Sequence, residues 1–244
     1  MPLRIAAGIA LLTMGITCGS VGTAAFVTPP PGVSAPFVGC ESVGQLGVQP
    51  APSASQFHPM SPWWEAGQVA YYRSADLGVL APRGWHCIGL YGSSGSILLV
   101  TPEDHKADAL TAKLIGPAVQ VSYLFSDTSG RFEAARIAAR LFPDRGAFVN
   151  RVIAEGIEPA SAFPNGPYAG DTVFRRDNIV EFKTPGGQQG MGTQSRLQPA
   201  DQPIFGMAII DKDNNVTISQ VRLPAHSDEQ LARGLAYEGA LRAH

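Results

Sequence analysis

Positive charge is scarce in this sequence. Lysine occurs only at Lys106, Lys113, Lys183 and Lys212, and Lys plus Arg (18) fall short of Asp plus Glu (20) over 244 residues. Such a chain has no basic surplus with which to neutralise a phosphate backbone or an anionic bilayer, so nucleic-acid binding through bulk electrostatics is excluded. Long apolar runs are also missing: the most apolar stretch, residues 5–16, is too short to span a bilayer, and no integral span is expected in the mature chain. The five histidines, His58, His86, His105, His226 and His244, show no paired ligand spacing, so no metal site and no cofactor is expected. Cysteine is limited to Cys18, Cys40 and Cys87.

What is present begins with a leader. Arg4 precedes the apolar run, and Gly22-Thr23-Ala24-Ala25 offers the small residues a signal peptidase requires, which predicts a signal peptide over 1–25. Removing Arg4 leaves 17 basic against 20 acidic residues, a formal charge of -3. A lipoprotein anchored at Cys18 is the competing reading. Gly15 and Thr17 stand where a lipobox has a Leu-like and a small residue, and so favour the plain signal peptide. Either cut delivers the chain to the periplasm or the exterior. Two remaining thiols in an oxidising compartment predict a Cys40–Cys87 disulfide.

Residues 26–60 are rich in Pro, Gly, Ser and Val and read as an extended arm stapled at Cys40. A single domain over 61–244 follows. Ser61-Pro62 resembles a helix start, with Trp63, Ala66, Ala70 and Tyr71 at helical spacing. Trp85, Cys87 and Tyr91 alternate with His86, Ile88 and Leu90, the period of a strand, and Gly92–Gly95 is a turn into a second strand over 96–100. Residues 102–114 predict a helix, with Glu103 and Asp104 in its first turn and Lys113 in its last. A strand over 119–125 and helices over 129–142 and 146–155 come next. A Pro/Gly connection then carries Phe163 and Tyr168 as exposed aromatics. Two hairpins turn at Asp177-Asn178 and at 211–215, and a final helix starts near Asp228, with Ser227 and Gln230 as a capping box. Hairpins and helices without βαβ alternation define an α+β fold with a largely antiparallel sheet and flanking helices.

Each motif with chemical content competes with a structural reading. Gly92-Ser93-Ser94-Gly95 is one residue short of a nucleophile elbow and leads into a strand rather than a helix. His86 and Cys87, adjacent on a strand, point to opposite faces and cannot pair as base and nucleophile. The Glu103, Asp104, His105, Asp108 group reads as a solvated helix start. Residues 211–215 open like a calcium loop but carry Val216 and Arg222 at the positions that need Gly and Glu. The loop over 184–193 has P-loop glycine spacing at Gly187 and Gly192, yet Thr193 and Gln194 replace the Lys and Ser/Thr. Its neutral polar groups make it the candidate ligand or partner lip: Gly187, Gln188, Gln189, Gly190, Gly192 and Thr193, with Arg196 and Tyr168 nearby.

Several strings together resemble a family of exported bacterial proteins of unknown function: FVGC (37–40) with Gly44-Gln45, APRGWHC (81–87) with YGSSGS (91–96), and VEFKTP (180–185) with GMGT (190–193). The resemblance covers most of the mature chain and implies the Cys40–Cys87 pairing, but no activity. The chain departs from the pattern at Val43, where an Asp is expected. The Pro-x-Gly-Trp entry (82–85), the late hairpin and the terminal helix are similar to a PsbP/Mog1-type sandwich. The expected function is a non-catalytic envelope or secreted module that binds a protein or a small ligand. The alternative is a secreted hydrolase whose carboxylates, among them Asp104, Asp171 and Glu181, converge from separate loops.

Overall fold

The computed structural model describes residues 35–53 and 67–243, all within one compact unit. The leader, Cys18 and the Ser61–Ala66 helix start lie outside the described residues. The fold is α+β, with strands β1 (Phe37–Gly39), β2 (Ser42–Gly44), β3 (Gly47–Gln49), β4 (Val69–Arg73), β5 (Gly78–Pro82), β6 (His86–Gly92), β7 (Gly95–Thr101) and β8 (Ala118–Leu124). Helices α1 (Arg131–Leu141) and α2 (Gly146–Ala154) follow, then β9 (Thr172–Arg176), β10 (Ile179–Thr184), β11 (Ile204–Ile210), β12 (Val216–Arg222) and α3 (Glu229–Leu241). A nine-stranded sheet runs β3-β2-β6-β7-β8-β12-β11-β10-β9, and a three-stranded sheet runs β1-β4-β5. All neighbours pair antiparallel except β2 with β6 and β1 with β4.

The large sheet is covered on both faces, so β8 and β12 carry apolar residues to each side. On one face, here the α3 face, Leu98, Val100, Val119, Val121 and Val221 pack under Val79 and Leu80 of the small sheet and Leu235 and Ala236 of α3. On the other, the α1 face, Ala134, Ile137 and Leu141 of α1 and Val149 and Val152 of α2 cover Val180, Phe182, Ala208, Val216 and Ile218. Gly206 is required there, because a Cβ would overlap the Phe182 ring that lies across it. Farther along the same face, Ile88, Leu90 and Leu99 are covered by Ala109, Ala112, Leu114 and Leu197.

Cys40 and Cys87 form the expected disulfide, with Cα atoms 5.4 Å apart. Cys40 sits where the chain crosses from the small sheet (β1) to the large one (β2), so the bond pins that crossing to β6. Cys87 pairs with Val100 and faces the α3 side, whereas exposed His86 pairs with Thr101 on the opposite side.

Several local expectations differ from the structure. Residues 37–49 of the extended arm are built into the domain, because they supply strands to both sheets. Pro36 and Pro50 stand just outside these strands, where a missing N–H breaks no ladder. Ala70 and Tyr71 lie in β4, not a helix. The strand is central in its sheet and buried on both faces, so it lacks the alternation that marks a strand. Residues 102–114 form turns, since Asp104 and Thr111 bond locally to Lys106 N–H and Asp108 C=O, and Leu114 bridges to Leu197. Phe163 is buried against α1 and α2 instead of exposed. Asp228, not Ser227, caps α3, accepting from Gln230 N–H at 2.8 Å. The two late turns are as expected: Asp177 and Asn214 take left-handed conformations, with φ of 53° and 67°.

Candidate functional site

The 184–193 loop is divided in two. Gly187, Gln188 and Gln189 are exposed, while Gly190, Met191, Gly192 and Thr193 are buried against the α1 face. Three side chains seat the buried half. Asp171 accepts from Met191 N–H at 2.7 Å and from the Thr184 hydroxyl at 2.7 Å. Thr184 Oγ1 accepts from Gly192 N–H at 2.9 Å, and Thr193 Oγ1 accepts from Gly190 N–H at 3.0 Å. Gly190 and Gly192 fit because a Cβ at either would crowd Asp171, Thr184 or Ile204. The exposed lip is therefore confined to residues 187–189.

Beneath the loop, the sheet carries a polar centre. Gln120 and Gln220 are cross-strand partners on β8 and β12, and both are buried. Gln220 Nε2 donates to the carbonyls of Met191 and Gly192, each at 3.1 Å. Gln120 Nε2 lies within hydrogen-bond distance of Gln220 Oε1 (2.9 Å), Ser122 Oγ (3.0 Å) and Ser195 Oγ (2.7 Å). Each amide is thus committed to holding the loop, in keeping with the cost of an unpaired buried polar group.

A cleft of about 260 Å³ opens between this loop, α1 and the β6–β7 hairpin tip. Its floor is Ile97, Leu124, Ile137, Met191 and Ile218, and its polar groups are Ser94, Ser122, Glu133, Gln194, Ser195 and Gln220. Gly130 lets the hairpin tip close on α1, since a Cβ there would overlap the Ser94 carbonyl. Glu133 stands at the mouth and accepts from Arg136 Nη1 at 2.7 Å, while Arg136 also pairs with Glu158 at 2.5 Å. Burial pushes the Glu133 carboxyl above its ordinary value, Arg136 opposes that shift and the Glu158 charge adds to it. No sequence motif marks Glu133. It sits in the amphipathic helix RFEAARIAARL, where it reads as a solvent-facing acid.

The remaining sequence candidates fall elsewhere. Arg196 reaches away from the cleft to the Leu110 carbonyl at 2.5 Å. Tyr168 packs under Arg140, whose guanidinium lies 3.5 Å from the ring centroid. The three carboxylates of the hydrolase reading occupy separate settings. Asp171 holds the loop on the α1 face; burial raises its carboxyl, against the opposing hydrogen bonds from Met191 and Thr184. Glu181 points to the α3 face, paired with Arg233 at 3.1 Å across a groove of about 300 Å³ that the Lys183–Glu229 pair also crosses. Asp104 lies in the turn after β7, and three strands of the sheet stand between β7 and β10. Among the described residues, no group of three or more His, Cys, Asp or Glu side chains could hold a metal ion. Comparison with protein-family models, curated proteins and solved structures finds no match.

Proposed function

We propose that this is an exported, non-catalytic binding module that holds a small ligand in the α1 cleft. The observation that carries this reading is the convergence of Glu133, Ser122, Ser195 and Gln194 over an apolar floor, walled by a loop fixed through buried hydrogen bonds. Apolar pockets with a few convergent polar groups and a perturbed acid are the usual form of small-molecule sites. The polar groups are neutral apart from the half-buried Glu133 carboxylate, whose charge is already paired with Arg136, which favours an uncharged ligand that donates a hydrogen bond to Glu133. Export is supported by the leader pattern and the disulfide. Among the described residues no helix is long and apolar enough to cross a membrane.

A thermal-shift screen of small polar metabolites against the wild type and Glu133→Gln tests the reading. Ligands that stabilise the wild type are expected to lose most of their effect in Glu133→Gln. A screen without stabilising ligands, or ligands that act equally on both proteins, would overturn it.

A further inference from the structure

A second cavity lies on the opposite side of the same hairpin. Tyr91, Ser96 and Tyr123 stand in register on β6, β7 and β8, with side chains to the α3 face. Adjacent strands are about 4.8 Å apart, so the two tyrosines flank the serine at a strand separation of roughly 10 Å. The small central residue leaves a cavity of about 320 Å³ bounded by Tyr91, Tyr123, Phe125, Leu77, Gly92, Ser96 and Asp76.

The aromatic walls are positioned by contacts with the fold. Tyr91 donates its hydroxyl hydrogen to the Gly47 carbonyl at 3.0 Å, and its ring is backed by Gly44, where a Cβ would fall 2.8 Å from ring atoms. Tyr123 and Phe125 meet edge to face with centroids 5.2 Å apart. Tyr91, Tyr123 and Phe125 thus supply aromatic walls to the cavity.

Asp76 is the one charged residue among those that line the cavity. Asp76 lines the cavity and accepts from Ser96 Oγ at 2.7 Å. The acidic turn 211–215 is tied beside Phe125, because Ser126 N–H donates to Asn215 Oδ1 at 2.9 Å and Ser126 Oγ to the Asp213 carbonyl at 2.6 Å. Burial and then the charges of Asp211, Asp213 and Asp127 push the Tyr123 phenol above its ordinary value. None of the seven residues that bound the cavity is basic.

We propose that this cavity binds an organic cation, a quaternary ammonium or protonated amine, held against the aromatic walls of Tyr91, Tyr123 and Phe125 with Asp76 as its counter-charge. A cation gains from the aromatic walls and from the Asp76 carboxylate, whereas an anion is repelled by that carboxylate and a neutral apolar group gains only from the walls.

Choline and its neutral isostere 3,3-dimethylbutan-1-ol provide the test, read by calorimetry and by amide chemical shifts. Choline is expected to bind saturably, at least tenfold more tightly than the isostere, with shifts centred on Gly92, Ser96 and Tyr123 and with affinity that falls as salt rises. Asp76→Asn keeps the Ser96 hydrogen bond in an exposed position and should weaken choline about three- to tenfold. Tyr123→Leu should abolish binding. Equal affinity for the isostere, an unchanged affinity in Asp76→Asn, shifts centred on Ser122 and Gln194, or no saturable binding in the millimolar range would each overturn the proposal. The cavity lies across the sheet from the α1 cleft, so either site can fail its test without the other.

Discussion

Gln120 and Gln220 face each other across the β8–β12 boundary, with the Gln120 amide 2.9 Å from Gln220 Oε1, and Gln220 in turn holds two carbonyls of the 190–193 segment. The wall of the α1 cleft is thereby fastened to the middle of the sheet.

Gln220→Met removes both donors to Met191 and Gly192 while keeping side-chain volume. It is expected to cost about 2 kcal/mol, from buried carbonyls left without partners. Urea unfolding checks the loss, and hydrogen exchange should rise over 190–195 more than over α2.

Arg222 is fully buried, and its guanidinium donates to the carbonyls of Ile115 (2.8 Å) and Gln198 (2.7 Å), joining two loops at the end of β12. Burial holds its pKa below the usual arginine value. Arg222→Met therefore loses hydrogen bonds but also sheds a penalised charge, and a net loss of about 1–3 kcal/mol is expected. Proteolytic nicking near residues 115 and 198 should accelerate.

Reduction of Cys40–Cys87 should destabilise the domain by up to about 4 kcal/mol, the loop-closure value for a bond that spans 47 residues. Denaturant curves with and without reductant measure this. Mass spectrometry of the native protein should show a two-hydrogen increase only after reduction.

The raised Glu133 carboxyl gives a pH signature. The native state keeps this proton to a higher pH than the unfolded chain, whose group titrates near 4.5. Between those two values the native state binds more protons, so its stability falls as pH rises through the window. Glu133→Gln should flatten that part of the profile. The slope left behind includes Asp171, which is raised in the same direction. Thermal midpoints measured from pH 4 to 7 on both proteins provide the comparison.

Gly206→Ala places a methyl group in the Phe182 ring and should cost about 1–3 kcal/mol by overpacking. A double variant with Phe182→Leu is expected to recover part of that loss.

Legibility in the sequence followed burial. His86 and Cys87 could be assigned to opposite faces because β6 alternates, and the late hairpins could be read because Asp177 and Asn214 suit left-handed turns. Tyr71 and Tyr72 could not be read as a strand, since β4 is covered on both sides and shows no period. The 102–114 segment has helical composition, but its task is to cover Ile88, Leu90 and Leu99 and to hand Leu114 to a bridge with Leu197, which short turns achieve. The loop at 184–193 was recognisable as special from its glycines. Its seating was not, because Asp171, Thr184 and Gln220 come from three distant stretches. Glu133 left no trace, as an acid on a helix surface looks alike whether it faces water or a cleft.

The order of the strands also bears on how the protein is made. β8 lies at the centre of the finished sheet, yet its partner β12 is synthesised only after both α-helices and the β9–β11 strands. As the chain is made, AVQVSYL, already paired with β7 on one side, leaves its other edge open until Val216 and the residues after it arrive. Half-made molecules therefore present a strand that invites pairing with one another. The chain closes its central seam last, and holding nascent copies apart until then is a requirement of the topology itself.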